Sequence, residues 1–123
     1  MLSEKINLKD KYSKFNKHWS PRIIAEMNNY HFKLAKIKGE FVWHDHKNTD
    51  ETFIVIEGNM TIKFRDNEVK LSKGEMYVVP KGVEHCPKAQ PDTHFMMIEP
   101  SSTAHTGEIQ SKRTVSAAEQ EWI

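Results

Sequence analysis

The chain has 123 residues, of which 37% are hydrophobic and 28% are charged. That length is typical of one domain with a single core. The charges nearly balance, with 18 Lys plus Arg against 17 Asp plus Glu, and the basic residues are scattered along the chain. A nucleic-acid partner would require a basic face, so we expect no such partner.

The sequence contains no apolar run near the roughly 20 residues that span a bilayer. The amino-terminal segment, MLSEKINLKDKY, lacks the apolar core of a signal peptide. The single cysteine, Cys86, excludes an internal disulfide and is consistent with a reducing compartment. We therefore expect a cytoplasmic protein with no membrane partner.

Residues 1–22 are predicted to form an arm that contains a short helix. Four apolar residues recur at intervals of four, three and four, which fits one side of a helix capped by Asn7: Leu8, Tyr12, Phe15 and Trp19. The following Pro21 ends the helix. The arm is expected to cover the rest of the domain, and an arm exchanged with a partner subunit is the alternative.

Residues 23–100 are predicted to be all β. Short strands with alternating apolar residues are separated by turn signals at intervals of roughly 8 to 12 residues. Outside the motifs described below, strands are expected at 23–27, 30–37, 60–65, 68–71, 76–79 and 93–99. The dipeptide Gly58-Asn59 is a hairpin signal before the third of these. This pattern is typical of an antiparallel sandwich or barrel.

The stretch from Gly39 to Gly58 brings candidate metal ligands together. In an extended strand His44 and His46 project to the same side. The polar run at 47–50 is predicted to be a hairpin loop, and Glu51 opens the returning strand. Two imidazoles and a carboxylate are therefore expected to converge.

A fourth candidate ligand lies in the stretch from Gly74 to His85. A short apolar strand breaks at Pro80 and Gly82, just before the histidine. Neutral imidazoles bind borderline divalent metals, and a carboxylate adds the negative charge that holds the ion. The joint pattern indicates a metal site.

These residues make the sequence resemble the cupin superfamily. The first cupin motif is G, five residues, HxH, three or four residues, E, six residues, G. Its positions here are Gly39, His44, His46, Glu51 and Gly58, with four residues after the first glycine. The second motif is matched by Gly74, Pro80, Gly82 and His85, although its closing Asn is Ala89 here. The resemblance covers about half of the chain.

The resemblance implies a double-stranded β-helix, the cupin jelly-roll barrel, over residues 23–100. The short N-terminal helix would precede it, and a tail at 101–123 would pack on it. It also implies one divalent ion, which would be zinc, iron, manganese, nickel or copper, held by His44, His46, Glu51 and His85. An apolar pocket wall able to bury a small ligand is expected from Phe53, Val55, Met60, Ile62 and Phe64.

The resemblance leaves the reaction open, because cupins include dioxygenases, oxalate decarboxylases, sugar isomerases and epimerases, and ligand-sensing domains. We expect a metal-dependent enzyme of dioxygenase, isomerase or decarboxylase type that acts on a small oxygenated organic molecule. The alternative is a non-catalytic protein that binds a small ligand or metal. A sugar-phosphate isomerase is disfavoured, because Arg22, Arg65 and Arg113 lie outside the motifs.

The remaining titratable residues are weaker candidates. Cys86 is expected to be a buried thiol that points away from His85, and Glu57 a solvated group at the opposite mouth of the barrel. His31 is expected to be a surface or cover residue, and His105 a tail residue that faces solvent. His94, near the start of the last strand, is a minor candidate for a residue at the pocket mouth.

The C-terminal end suggests a docked segment, because two large apolar residues, Trp122 and Ile123, close the chain. They are expected to pack on the barrel or on a neighbouring subunit. Together with the region of Trp19, this end leads us to expect a homodimer.

Overall fold

The computed structural model describes residues 2–103 and 120–123. Within these residues the elements are α1 (Leu8–Tyr12), β1 (Arg22–Met27), β2 (Tyr30–Glu40), β3 (Glu51–Glu57), β4 (Asn59–Lys63), β5 (Glu68–Ser72), β6 (Met76–Val79), β7 (Cys86–Pro100) and β8 (Glu121–Trp122). The prediction of a jelly-roll barrel with a short helix is confirmed. No helix among the described residues is long and apolar enough to cross a membrane.

The long strand β7 closes the barrel, because it pairs with three other strands. One of its edges pairs with β2 from Lys88 to Pro100. Its other edge pairs first with β4, at residues 86–88, and then with β3, at residues 94–98. The sheet runs β5-β4-β7-β2-β1-β8, and β6 pairs with β3. All these pairings are antiparallel except β1 with β8.

Two apolar clusters lie on opposite faces of the sheet. The inner cluster fills the barrel with the inward-facing residues Ala35, Ile37, Phe53, Val55, Met60, Ile62, Leu71, Val79, Ala89, Phe95 and Met97. The outer cluster contains Tyr12, Phe15, Ile24 and Leu34, so the N-terminal segment covers the outside of β1 and β2. Strand β2 is therefore buried on both faces.

The helix is shorter than the apolar spacing predicts. Asn7 caps α1 by accepting a hydrogen bond from the backbone N of Asp10 at 3.0 Å, as expected. The helix ends at Tyr12, because the next apolar residues pack in different places. Phe15 joins the outer cluster, whereas Trp19 packs against the inner one. One helical face could not reach both clusters.

The turn at Gly58 does not form the predicted hairpin. Strand β3 pairs with β6 and β7, and β4 pairs with β5 and β7, so the two consecutive strands are not neighbours. Gly58 has a φ of 84°, the left-handed conformation that glycine adopts without strain. The chain uses this turn to pass between two parts of the barrel.

The C-terminal segment docks on β1. Ile123 packs against the outer cluster, and its backbone N donates to the carbonyl of Ile23 at 3.0 Å. Trp122 remains 57% exposed, although its ring lies against His31. His105 and Arg113 lie outside the described residues.

We predict that Gly58→Ala destabilises the fold more than the matched variant Gly39→Ala. Both glycines have a φ of 84°, where an L-residue costs about 1 to 2 kcal/mol. A Cβ at Gly58 would lie 2.7 Å from Thr93 Oγ1 and 2.9 Å from Asp92 O, whereas at Gly39 no atom of the described residues beyond its chain neighbours lies within 4 Å. Crowding should add about 1 to 3 kcal/mol at Gly58 only. Equal losses of unfolding free energy in urea would contradict this prediction.

Candidate metal centre

The two histidines of the first motif lie in the connection between β2 and β3, but not in the predicted hairpin. His44 pairs with His85, since each donates its backbone N to the other's carbonyl, at 3.0 and 2.9 Å. The carbonyl of His46 accepts from the backbone N of Gly82 at 2.9 Å. Strand β3 begins at Glu51, as expected. The two motifs are therefore joined directly.

The structure brings the four predicted ligands together inside the barrel. One donor atom each from His44, His46, Glu51 and His85 lies within 4.8 Å of all the others. An ion midway between the two most distant atoms would lie no more than half of 4.8 Å, or 2.4 Å, from those two atoms. The four residues are between 1% and 7% exposed, so their side chains are almost completely shielded from solvent.

Two of the imidazoles are held in the tautomer that a metal requires. His44 Nδ1 lies 2.9 Å from the carbonyl of Val42, and His85 Nδ1 lies 2.9 Å from the carbonyl of Val83. A carbonyl only accepts, so Nδ1 carries the hydrogen in the neutral ring. The Nε2 atom of each ring then presents a lone pair, which is the arrangement of metal-binding histidines.

Burial favours the metal-binding protonation state of His44, and contacts within the cluster favour that of Glu51. Burial, assisted by the neighbouring His85, lowers the pKa of His44 to about 4. Burial alone would raise the pKa of Glu51. Contacts with His46 and His85 outweigh that effect and hold the Glu51 pKa well below its usual range. At neutral pH the set contains a neutral His44 and an ionised Glu51.

The donor atoms face one another in a way that fits a cation. Glu51 Oε2 lies 3.1 Å from His46 Nε2, and neither atom has a hydrogen-bond partner in the described part of the chain. Glu51 Oε1 lies 3.4 Å from His85 Nε2. Ligands at about 2.0 to 2.2 Å from one ion are separated by similar distances. Three imidazoles and one carboxylate are thus a donor set that fits a divalent metal.

A small cavity of about 20 Å³ adjoins His44 and Glu51. A space of that size holds about one water molecule. Phe53 is the predicted pocket residue that lines it. Val55, Met60 and Ile62 lie in the inner cluster. The space beside the ligands is thus smaller than the expected pocket.

Phe64 has a different place from the other predicted pocket residues. It lines a separate cleft of about 370 Å³ together with Tyr77 and Arg65. Its ring centroid is 6.5 Å from that of His85. The cleft therefore lies near His85, and none of its lining residues is shared with the small cavity.

Two aromatic residues that the sequence did not assign to the site close the small cavity. Trp19 stacks on Phe41 with centroids 4.5 Å apart and planes 5° from parallel, and both line the cavity. Trp19 has a φ of 59°, which is uncommon for a bulky residue. No turn motif around Trp19 signalled this position.

A buried ion pair beside Glu51 was also missed. Lys33 Nζ donates to Glu99 Oε1 at 2.8 Å, and both residues are 0% exposed. The carboxyl group of Glu99 is in turn close enough to that of Glu51 to interact with it electrostatically. Burial, reinforced by the charge of Glu51, raises the pKa of Glu99 well above its usual range. The sequence contains one signal for this position: Lys33 and Ala35 alternate along the same strand, so their side chains lie on the same face of it.

The other titratable candidates lie outside the cluster. Cys86 is a buried thiol, as expected, and burial raises its pKa to about 11. His94 stacks on Tyr12 on the outer face, so it does not reach the cavity. Glu57 is exposed and pairs with Lys73 at 2.8 Å. His31 is a buried cover residue beneath Trp122.

The fold and the site together define a class: small β-barrel proteins whose interior holds three histidines and one glutamate. The comparison with known families then identifies the chain. Residues 30–101 match the family described as the cupin domain. The chain therefore belongs to the cupin family.

Similar proteins support this assignment. The chain is 33% identical over 93 residues to the uncharacterized protein YdbB of Bacillus subtilis, and the match covers 75% of this chain and 76% of that one. It is 62% identical to a cupin-2 domain protein of Shewanella frigidimarina, with a TM-score of 0.77, over 77% of this chain and 93% of that one. Protein NMB1881 of Neisseria meningitidis is 35% identical, with a TM-score of 0.73, over 79% and 99%.

We predict that His46→Ala lowers the affinity for a divalent ion by orders of magnitude while the barrel remains folded. The substitution removes one of four ligands, and the ligands are not what fills the apolar core. Competition with a chromogenic chelator measures the affinity, and circular dichroism checks the fold. His18→Ala is the matched control, because His18 pairs with Asp92 at the surface. Equal affinities of the two variants would refute the ligand assignment.

We also predict that the metal-free protein loses stability as the pH falls from about 6.5 to about 4. The pKa of His44 is about 4 in the folded state against 6.5 ordinarily, so the unfolded chain takes up the proton first. The stabilisation is complete above pH 6.5 and is lost toward pH 4, a change of about 3 kcal/mol.

Urea unfolding with a chelator present, repeated across that pH range, measures this effect. His44→Gln removes the titrating group, so its unfolding free energy should fall less steeply. A wild-type slope no steeper than that of the variant would contradict the prediction.

Proposed function

We propose that this cupin is a metal-dependent enzyme that acts on a small oxygenated organic molecule, in a reaction of dioxygenase, isomerase or decarboxylase type. The observation that carries the proposal is the water-sized cavity lined by His44 and Glu51. A structural site is closed by its protein ligands, whereas a catalytic site keeps space beside them. The buried cluster of candidate ligands lies next to a cavity, as in a catalytic site.

The residues around the cluster are suited to such chemistry. A divalent ion bound there would supply Lewis acidity or activate oxygen. Three neutral imidazoles and one carboxylate would leave it with a net charge of about +1, which favours an oxygen ligand with negative charge. The stacked Trp19 and Phe41 and the ring of Phe53 exclude bulk water from this side of the site.

The charged residues favour a small carboxylate or diketone over a phosphate ester. Among the described residues, no arginine or lysine lines the cavity. Arg22 pairs with Glu121 at 2.8 Å, and Arg65 pairs with Glu84 at 2.7 Å. A phosphate group would need such cations beside it. The substrate would instead be held through its oxygen atoms by the ion.

The second candidate function is non-catalytic capture of a small ligand or a metal ion. The size of the cavity favours it, because about 20 Å³ does not hold an organic molecule without movement of its wall. The same ligands serve both functions. Only a measurement of turnover distinguishes the enzyme from the non-catalytic binding protein.

The test is reconstitution of the metal-free protein with Fe(II), Mn(II), Ni(II) or Zn(II), followed by assays on carboxylates, diketones and sugar phosphates. We expect turnover of a carboxylate or diketone with at least one metal, and loss of that turnover in His46→Ala. His18→Ala should retain it. No turnover with any metal, combined with tight binding of one of these compounds, would support the non-catalytic function and refute the enzyme.

A further inference from the structure

We propose that Glu99 and Lys33 are positioning residues that hold the Glu51 carboxylate toward the metal, an inference that rests on metal binding by the proposed site. The two residues form a buried chain of contacts that begins behind Glu51. Neither belongs to the sequence motifs that contain the ligands.

The strand register places Glu99 directly behind Glu51. Thr52 of β3 pairs with Ile98 of β7, so the preceding residue of β3 and the following residue of β7 are neighbours. Both side chains face the interior and are no more than 1% exposed. Their carboxyl groups are close enough to interact electrostatically, and one buried oxygen of each has no hydrogen-bond partner among the described residues. Glu51 thus contacts imidazoles on one side and Glu99 on the other.

Lys33 fixes Glu99 in turn. Its Nζ atom donates to Glu99 Oε1 at 2.8 Å and to the carbonyl of Thr103 at 3.1 Å. Lys33 lies on β2, opposite Met97, and its side chain is 0% exposed. Since Lys33 binds one oxygen of Glu99, the other oxygen is available to Glu51.

Stability alone does not account for the pair. A buried ion pair gives up the hydration of both charges, and well-packed apolar residues of similar volume are often as stabilising or more so. Groups that hydrogen-bond to a metal ligand fix its orientation, and their removal typically lowers metal affinity by about 10 to 100-fold. The position behind Glu51 matches this second role.

The test compares two variants of the pair. Glu99→Gln retains an N–H donor for Glu51 and a carbonyl acceptor for Lys33. The double variant Lys33→Met/Glu99→Leu removes both charges of the ion pair, so neither charge is left without the other. The matched control makes the same two exchanges in the exposed pair Lys73–Glu57. Each protein is titrated with Co(II) against a chelator, and its visible absorption spectrum and urea unfolding are recorded.

We expect Glu99→Gln to bind Co(II) within about 3-fold of the wild type, with the same spectrum. The double variant should unfold at an equal or higher urea concentration, yet bind Co(II) about 10 to 100-fold more weakly and with an altered spectrum. The exposed control should match the wild type. A stable double variant with wild-type affinity and spectrum would overturn the positioning role and leave the proposed function intact.

Two further outcomes are decisive. If the double variant does not fold, Glu99→Met is compared with Glu99→Gln, and equal Co(II) affinities of these two would overturn the inference. If the wild type itself binds no Co(II), Zn(II), Mn(II), Ni(II) or Fe(II), the proposed metal site fails and the inference fails with it.

Discussion

The structure depends on one electrostatic constraint, the burial of the Glu51 carboxylate in an apolar barrel. A buried ionised carboxylate is unfavourable unless it is paired. Glu51 faces the Nε2 atoms of His46 and His85 at 3.1 and 3.4 Å. The Nδ1 hydrogen of His85 is directed to a backbone carbonyl, so its Nε2 presents a lone pair toward the same centre. A cation between these atoms would resolve the conflict, so the donor set fits a divalent metal ion.

The sequence predicts the fold class and the clustering of the four candidate ligands well, because both depend on short-range patterns. Spacing alone puts His44 beside His46, and turn residues before His85 end β6 where the motif requires. Pairing partners were predicted less well, since neighbouring strands in a jelly roll are distant in the chain. His44 bridges to His85 and not to the strand of Glu51. The ligands meet because the barrel closes, and hairpin geometry does not bring them together.

Lys33 and Glu99 show why interior charges escape a sequence analysis. Alternation identifies an inner face when the other face is polar. Strand β2 is buried on both faces, with Leu34 outward beneath the N-terminal segment and Ala35 inward. The alternation of Lys33 with apolar neighbours therefore looks the same as that of a lysine exposed to solvent. Only the packing of the N-terminal segment on the outer face reveals that the lysine points inward.

The same N-terminal segment also limits the size of the small cavity beside His44 and Glu51. Its first half covers the outside of β2, and Trp19 then turns back onto the inner cluster, held by its stack on Phe41. The backbone N of Trp19 also donates to the carbonyl of Lys36 at 2.9 Å. The residue that narrows the cavity is thus anchored to the strand that contains Lys33. The space beside the candidate ligands is therefore limited in part by an arm that lies outside the cupin motifs.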